Sequence, residues 1–551
     1  MLDYFIRTQK YDKAAEPLFE EIESVVKTTI FKPIPVLLGR GDYLAFKING
    51  ERVNFERRYF ERRKLLTSYS IFLQYDSDNL AFKYFLKLID STLAELSWAL
   101  PAHLDLDDFE TSRLTTIDLF ASETAELLAE IRYIFRNKLP RELSDRILKQ
   151  IQYRIIDPFE KQIWDWESKE NNWNAVCSSC LGMVILLTPE IKLKDKLIRR
   201  INVNLQIYLD SFGHDGICTE GLEYWDYGFG YFIYYYDLMK NFTDVNPFKK
   251  EQIRNIGKMP YRIQLSKGQY ANFSDISPKQ PLATGLVNYL NDFFDCEMPV
   301  IDKVSELGFD QCYRYAHISR NLWWTKKLNV TTLERYKEYF PSSQWLIDRS
   351  KDWSVICKGG NNQESHNHHD VGSLILVAKG KVILADLGAP LYTADYFGTK
   401  RYETVHAQSS WHSVPQFLDH EQLNFKNNSE TSYCRSDQFS EFKLDLTRAY
   451  EMNVIREYQV SNGKLVLYDQ FSDGSNFLEH FIFSERPILT DLGCNVRIND
   501  HFSVNFSWGK NLKTISKIEV HNHLGQKESY YRLNIKVDEN IFNLVATLEE
   551  F

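Results

Sequence analysis

The sequence predicts two domains of different class: an all-α array over residues 1–345 and an antiparallel, all-β sandwich over residues 346–551. Three observations lead there. Up to about residue 340, apolar side chains recur at three- and four-residue intervals, the period of an amphipathic helix. After Trp345 the texture changes to short strand-like runs divided by Asn-Gly, Asp-Gly and Asn-Asn turns. Runs of helices followed by runs of strands give separate layers rather than an alternating α/β fold. At 551 residues the chain exceeds one compact core, so two domains, or three, are expected.

Taken in order, Thr115–Phe135 is an amphipathic helix. Pro140 opens another, through Leu143, Ile147, Ile151 and Ile155, which stops before Pro158. Asn171-Asn172-Trp173-Asn174 leads into an apolar helix through Leu187. Its Cys177-Ser-Ser-Cys180 has no second CxxC and reads as a buried helix face, and the eight cysteines form no disulfide framework. Thr188-Pro189-Glu190 reads as an N-cap with Pro in the first turn of a helix that runs through Leu197 and Leu205 to Leu209 and ends near Gly213. Successive helices with short polar links suit a toroid or solenoid, although no clean repeat is present. In the second half, Val355–Gly360, Lys464–Gln470 and Tyr530–Val537 read as strands, with turns at 427–428, 462–463 and 473–474. Ser373–Asp386 reads as a hairpin turning at Lys379-Gly380-Lys381, which carries Asp386 back toward the histidines that precede it.

The formal net charge of -9, without long Lys/Arg runs, argues against nucleic-acid binding, though an anionic substrate needs only a local basic pocket. Aromatic residues at 14% are compatible with platforms for sugar rings. The N-terminal stretch has no signal-peptide pattern and no apolar run reaches membrane-spanning length, so a soluble, cytoplasmic protein is the expectation.

Chemistry concentrates in three stretches. His366-Asn367-His368-His369-Asp370 and Ser410-Trp411-His412 bring together side chains suited to proton transfer, metal binding or both, with His369 expected to be structural or at the rim. The amides at 171–174 are either helix caps or hydrogen-bond donors to a carboxylate. If the helix starts at 171, Asn171 and Asn174 share a face; if later, Asn172 is the free one. In Asp215-Gly216 through Glu220-Gly221 to Tyr231, tyrosines 224, 227, 231 and 234 recur at helical spacing. That stripe reads as core, with Tyr224 set apart by its loop position. Glu220, Glu223 and Asp226 would instead offer paired carboxylates for glycoside hydrolysis.

Together, NNWNAVC, DG…EGLEYWDYG, HNHHDVGS, ADLG…Y and SWHS, in that order, resemble the heparinase II/III-like polysaccharide lyases. The resemblance covers residues 165–420 by motif and implies an incomplete (α/α) toroid followed by an antiparallel β-sandwich. It implies β-elimination on uronate-containing, glycosaminoglycan-type chains. Removing the C5 proton builds charge on the uronate carboxylate, which needs a neutralising partner; a base takes the proton and an acid protonates the departing O4. By motif, Asn172 holds the carboxylate, with Asn174 as second choice; Tyr224 is the acid, and in some stereochemistries also the base; His366 is the catalytic histidine. Trp173, Glu220 and Tyr227 are expected to contact substrate. So are Tyr396, Arg401 and Tyr402, although Arg401 also fits an ordinary salt bridge. His368, Asp386 and His412 match a structural zinc site, with no organic cofactor implied; a metal-free hydrogen-bond network is the alternative. Where several members carry a histidine beside the amide motif, this chain has Trp173 and then Cys177-Ser-Ser-Cys180. The competing functions are an inactive carbohydrate-binding protein of the same fold and an (α/α)-toroid glycoside hydrolase.

Overall fold

Helices, interrupted by a short strand pair at Gln264–Ser266 and Gln269–Tyr270, make up the chain as far as Trp324, and antiparallel sheets occupy it from Tyr336 onward, in a computed structural model. It describes residues 10–551 apart from 244–245, 278–280, 302, 393–395, 397, 399, 419, 473–476, 524 and 538. The turn expected at 473–474 lies outside the described residues. The first large-sheet strand, Tyr336–Phe340, pairs with Trp345–Arg349, so the sheet begins ahead of the expected boundary at 345.

The helix Asn172–Leu187 runs through the middle of the helical layer, packed against Leu119–Ile134, Lys194–Asp210 and Gly230–Phe242. It is apolar on all sides, as a helix ringed by others must be, and Cys177 and Cys180 lie unbridged in its buried surface. Two helix boundaries differ from expectation. The segment from Arg141 does not stop at Pro158: it widens into a π turn at Gln152–Ile156 and continues as Asp157–Lys161. Pro158 has no N–H to give, and the π turn carries the chain past it, placing it at the start of the next helical segment. The helix expected from Thr188 begins instead at Lys194, because Leu193 adopts a left-handed conformation (φ +57°) and the Thr188 hydroxyl caps nothing.

One sheet runs from Lys513–His521 through Lys527–Lys536, Phe477–Phe483, Lys381–Leu384, Leu374–Ala378, Trp353–Lys358 and Trp345–Arg349 to Tyr336–Phe340. The other runs from Ile488–Leu489 to Glu430–Arg435 through six further strands, and both sheets are antiparallel throughout. Alternation within the first sheet shows how the layers stack. Trp345, Ile347, Ile356, Ile375 and Val377 join the helical core. Their neighbours Leu346, Val355, Cys357, Leu374 and Leu376 join the core between the sheets. Successive side chains point to opposite faces, so this sheet is a middle layer buried on both sides.

Polar anchors fix that stacking. Arg349, fully buried, gives hydrogen bonds of 2.7 Å each to the carbonyls of Tyr261 and Gln264 in the helical part. Ser354 reaches the Leu265 carbonyl at 2.7 Å. The expected hairpin closes through Lys379 and Gly380, both at positive φ, the conformation a two-residue hairpin turn requires.

Candidate active site between the helices and the middle sheet

The amide stretch folds so that its three asparagines do three different things. Asn171 is the N-cap: its side chain accepts from the Trp173 N–H at 3.2 Å. Asn174 is fully buried; its NH2 donates to the carbonyls of Glu167, Lys169 and Asn204, and its oxygen accepts from Ser178. It ties the helix to its neighbours, and every hydrogen-bonding group it has is engaged, so the expectation that it contacts substrate is corrected. Asn172 lines an open cleft of about 350 Å3 and is only 5% exposed, and among the described residues its carboxamide oxygen has no hydrogen-bond partner. A buried polar group without a partner costs free energy unless a ligand or water completes it.

Glu220 and Tyr224 line the same cleft. Across from them, the loop between strands Trp353–Lys358 and Leu374–Ala378 brings His366 over the helical layer. The His366 and Tyr224 rings stack with centroids 4.2 Å apart and planes 13° from parallel. His366 Nδ1 lies 2.7 Å from Glu220 Oε2. A carboxylate there selects the tautomer with hydrogen on Nδ1, leaving the Nε2 lone pair free. The backbone at His366 is left-handed (φ +56°), a conformation that costs a non-glycine residue about 1–2 kcal/mol. The surrounding contacts hold it there: the His366 carbonyl accepts from the Asp275 N–H at 3.2 Å. Burial first, then Tyr392, Asp275 and Glu220, push the Tyr224 phenol far above its ordinary range, so it is a protonated donor. Its hydroxyl lies 3.1 Å from that of Tyr392.

Asp275, which sequence reasoning missed, joins the two layers here. Oδ1 faces His368 Nε2 at 3.0 Å and accepts from the Tyr396 hydroxyl, while Oδ2 accepts from Arg401 at 2.9 Å. Burial works against its charge, but His368, Arg401 and His366 outweigh it and hold its carboxyl at about 2. Two glycines let this segment fit. A Cβ on Gly221 (φ +99°) would fall 2.1 Å from the Ile276 side chain, and one on Gly388 (φ +63°) would fall 2.0 Å from the Ile276 carbonyl oxygen.

One donor atom each from His368, Asp386 and His412 lies within 4.8 Å of the others, all of them buried. Partner use identifies the atoms. With Asp275 on His368 Nε2, His368 Nδ1 is buried and without a hydrogen bond. The His406 carbonyl accepts from His412 Nε2 at 2.9 Å, which turns His412 Nδ1 toward Asp386 Oδ2, 3.0 Å away. The second Asp386 oxygen accepts from the Gly388 N–H. Two imidazoles oriented through their far nitrogens, plus one carboxylate oxygen, are what a zinc ion requires. His368 Nδ1, which has no partner among the described residues, is the atom that most favours an ion over a hydrogen-bond network.

The other expected contacts lie off the cleft wall. Arg401 and Tyr402 bind the Asn367 carbonyl and side-chain oxygen, and Arg401 stacks on Tyr396. Tyr402 also stacks on His369, whose Nε2 faces Asn424. These residues brace the 366–369 loop, which is irregular rather than a strand, so the contact with substrate expected of Tyr396, Arg401 and Tyr402 is corrected. Tyr227 donates to Glu123 at 2.6 Å beneath the Arg314 guanidinium, and Trp173 packs edge-on against His103; neither lines the cleft. Of the three carboxylates considered for hydrolysis, Glu220 alone lines it: Asp226 faces His317 and the Ala283 N–H inside the helices. Tyr231 and Tyr234 are core, as their spacing indicated.

No family model matches the sequence, and no curated protein matches it. Solved structures do. A heparan sulfate lyase HepC mutant from Pedobacter heparinus aligns over 98% of this chain and 84% of its own, with a TM-score of 0.65 at 12% identity. A heparinase III structure aligns over 98% and 85% at TM-score 0.64 and 13% identity. The Streptomyces coelicolor A3 chondroitin AC lyase, in complex with chondroitin sulphate, aligns over 98% and 80% at TM-score 0.56 and 9% identity. Nearly its whole length therefore follows the toroid-plus-sandwich fold of the heparinase and chondroitin AC polysaccharide lyases.

Proposed function

We propose that the protein is a lyase that cleaves uronate-containing, glycosaminoglycan-type oligosaccharides or polysaccharides by β-elimination. The observation that carries this reading is a cleft lined by the Asn172 amide and by Tyr224, whose ring stacks on that of His366. Each step of the elimination finds a group. The Asn172 NH2 meets the uronate carboxylate and stabilises the charge that grows on it as the C5–H bond breaks. His366 Nε2 takes the C5 proton, with Glu220 on Nδ1 holding the ring and balancing the positive charge it gains. Tyr224, protonated at rest, gives its hydrogen to O4 as the C4–O4 bond breaks. The electrons of the C5–H bond become the C4=C5 double bond and those of the C4–O4 bond leave with oxygen; the His366 proton then restores the phenol.

In the same reading, zinc is the ion suited to His368, Asp386 and His412, where it supplies a fixed cross-link between the 368, 386 and 412 segments. The chain's own contribution is the loop beside it: Asp275, Arg401 and Tyr402 fix Asn367 and His368, and so set where His366 stands.

The test is turnover on uronate oligosaccharides, followed by near-ultraviolet absorbance and by mass spectrometry in 18O-water. The expected product is a 4,5-unsaturated uronate without 18O; a saturated product that has taken up 18O sinks the proposal in favour of hydrolysis.

A further inference from the structure

The charges around the cleft bear on what surrounds the uronate. Building on the lyase reading, we infer that the cleft takes an unsulfated uronate oligosaccharide, whose neighbouring sugars carry hydroxyl or N-acetyl groups. The described residues that line it include three carboxylates, Glu170, Glu220 and Glu364, and neither Lys nor Arg. Amides supply much of the remaining polar surface, among them Asn361, Gln363 and Asn428.

A sulfate ester is permanently charged, and a site that desolvates one needs a cation or a set of N–H groups to replace its water. Several cations on adjoining segments are already engaged, although Lys426, two residues before Asn428, is exposed. Lys358 pairs with Asp370 at 2.6 Å, both fully buried, and Arg401 pairs with Asp275 at 2.9 Å. The Lys169 ammonium lies over the Trp173 ring, and Arg448 donates to the carbonyls of Asn427 and Asn428.

The anions are not equivalent. Glu220 has His366 beside it at 2.7 Å. Burial pushes Glu364 up to about 7, against the pull of Lys358, so it carries little charge in mildly acidic solution. Glu170, exposed at the mouth, has no ion-pair partner among the described residues. The site thus offers one place for an anion, at the Asn172 amide, and a negative entrance around it. Hydroxyl and acetamido groups suit the remaining amides, donating and accepting without a charge to neutralise.

The test uses matched oligosaccharides of equal length: hyaluronan and unsulfated chondroitin against chondroitin 4-sulfate and 6-sulfate. Binding is measured by titration calorimetry, and unsaturated product separately by absorbance. The expected result is affinity for the unsulfated chains roughly tenfold or more above that for their sulfated counterparts, equivalent to about 1.4 kcal/mol. Glu170→Lys is expected to narrow that gap by tightening the sulfated chains. Equal or tighter binding of sulfated chains by the wild-type protein, or no binding of unsulfated ones, overturns the inference. The two readings separate cleanly. Preferential binding without unsaturated product supports this inference and defeats the lyase assignment. Equal turnover of sulfated and unsulfated chains does the reverse.

Discussion

Glu220→Gln is the sharpest probe of the site because it removes a charge while keeping the shape. In the native protein the carboxylate is buried and lies 2.7 Å from His366 Nδ1. Gln can still accept that hydrogen through its amide oxygen, so the ring orientation and tautomer survive. What disappears is the charge that balances the imidazolium formed after C5 deprotonation. A hydrogen bond to a charged group contributes about 1.5–3 kcal/mol, roughly twice a neutral one. Because Gln keeps the neutral hydrogen bond, about half of that, roughly 0.7–1.5 kcal/mol, is lost from the transition state, a fall in kcat of about 3- to 13-fold with KM changed little. Initial rates of unsaturated-product formation give kcat and KM, and thermal unfolding checks that the fold is kept. A double-mutant cycle isolates the route of action: if Glu220 works through His366, adding Glu220→Gln to His366→Ala costs nothing further. Wild-type kcat in the single variant, or additive losses in the double, would falsify the assignment of Glu220 as the residue that positions and balances His366.

The neighbouring asparagines should part company. Asn174→Ala strands two buried carbonyls and a part-buried one and is expected to lower stability by about 2 kcal/mol or more in denaturant titration, whereas Asn172→Ala breaks no side-chain hydrogen bond among the described residues, keeps its stability and loses uronate binding. Dialysis against a chelator is expected to lower the unfolding temperature, with recovery on adding zinc at one ion per chain by elemental analysis; an ion at a hundred times its Kd contributes about 2.7 kcal/mol. An unchanged melting curve together with no bound metal would favour the hydrogen-bond network instead. Burial pushes Glu123 up to about 7 despite Arg314 and Tyr227, so the folded state binds a proton there that the unfolded state releases near 4.5. That contribution is complete below about pH 4.5 and is lost as pH rises to about 7, a fall of roughly 3 kcal/mol that Glu123→Gln should remove from the stability–pH curve.

How much of this was legible beforehand depended on range along the chain. The helical array, the Lys379-Gly380 hairpin and the core role of Tyr231 and Tyr234 are local patterns, read from periodicity and turn chemistry. The ordered motifs also named Asn172 and Tyr224, which line one cleft, and His366, which stacks on Tyr224. Helix ends failed where one residue's backbone decided them, as with left-handed Leu193 and the π turn ahead of Pro158. Substrate contacts failed for a different reason. Arg401, Tyr396 and Tyr402 have the side chains of sugar-binding residues, yet each is claimed by Asp275 or Asn367, and only the folded chain shows that competition.

Asp275 shows why the site could not be assembled from its motifs alone. It sits in an irregular segment between the helical layer and the middle sheet, in a polar stretch, Asn272-Phe-Ser-Asp275, with no spacing to set it apart. Asp275 nevertheless decides three things at once: its carboxylate sets which nitrogen of His368 is left bare and where Arg401 points, and its backbone N–H helps hold His366 in a strained conformation. A buried carboxylate held at about 2 among such partners is stable only when the helices and the sheet are both in place around it. The geometry of the proposed site is therefore a property of the docked layers: the same contacts that press the toroid onto the sandwich aim the histidine, so in the lyase reading loosening the interface should lower turnover before it unfolds either part.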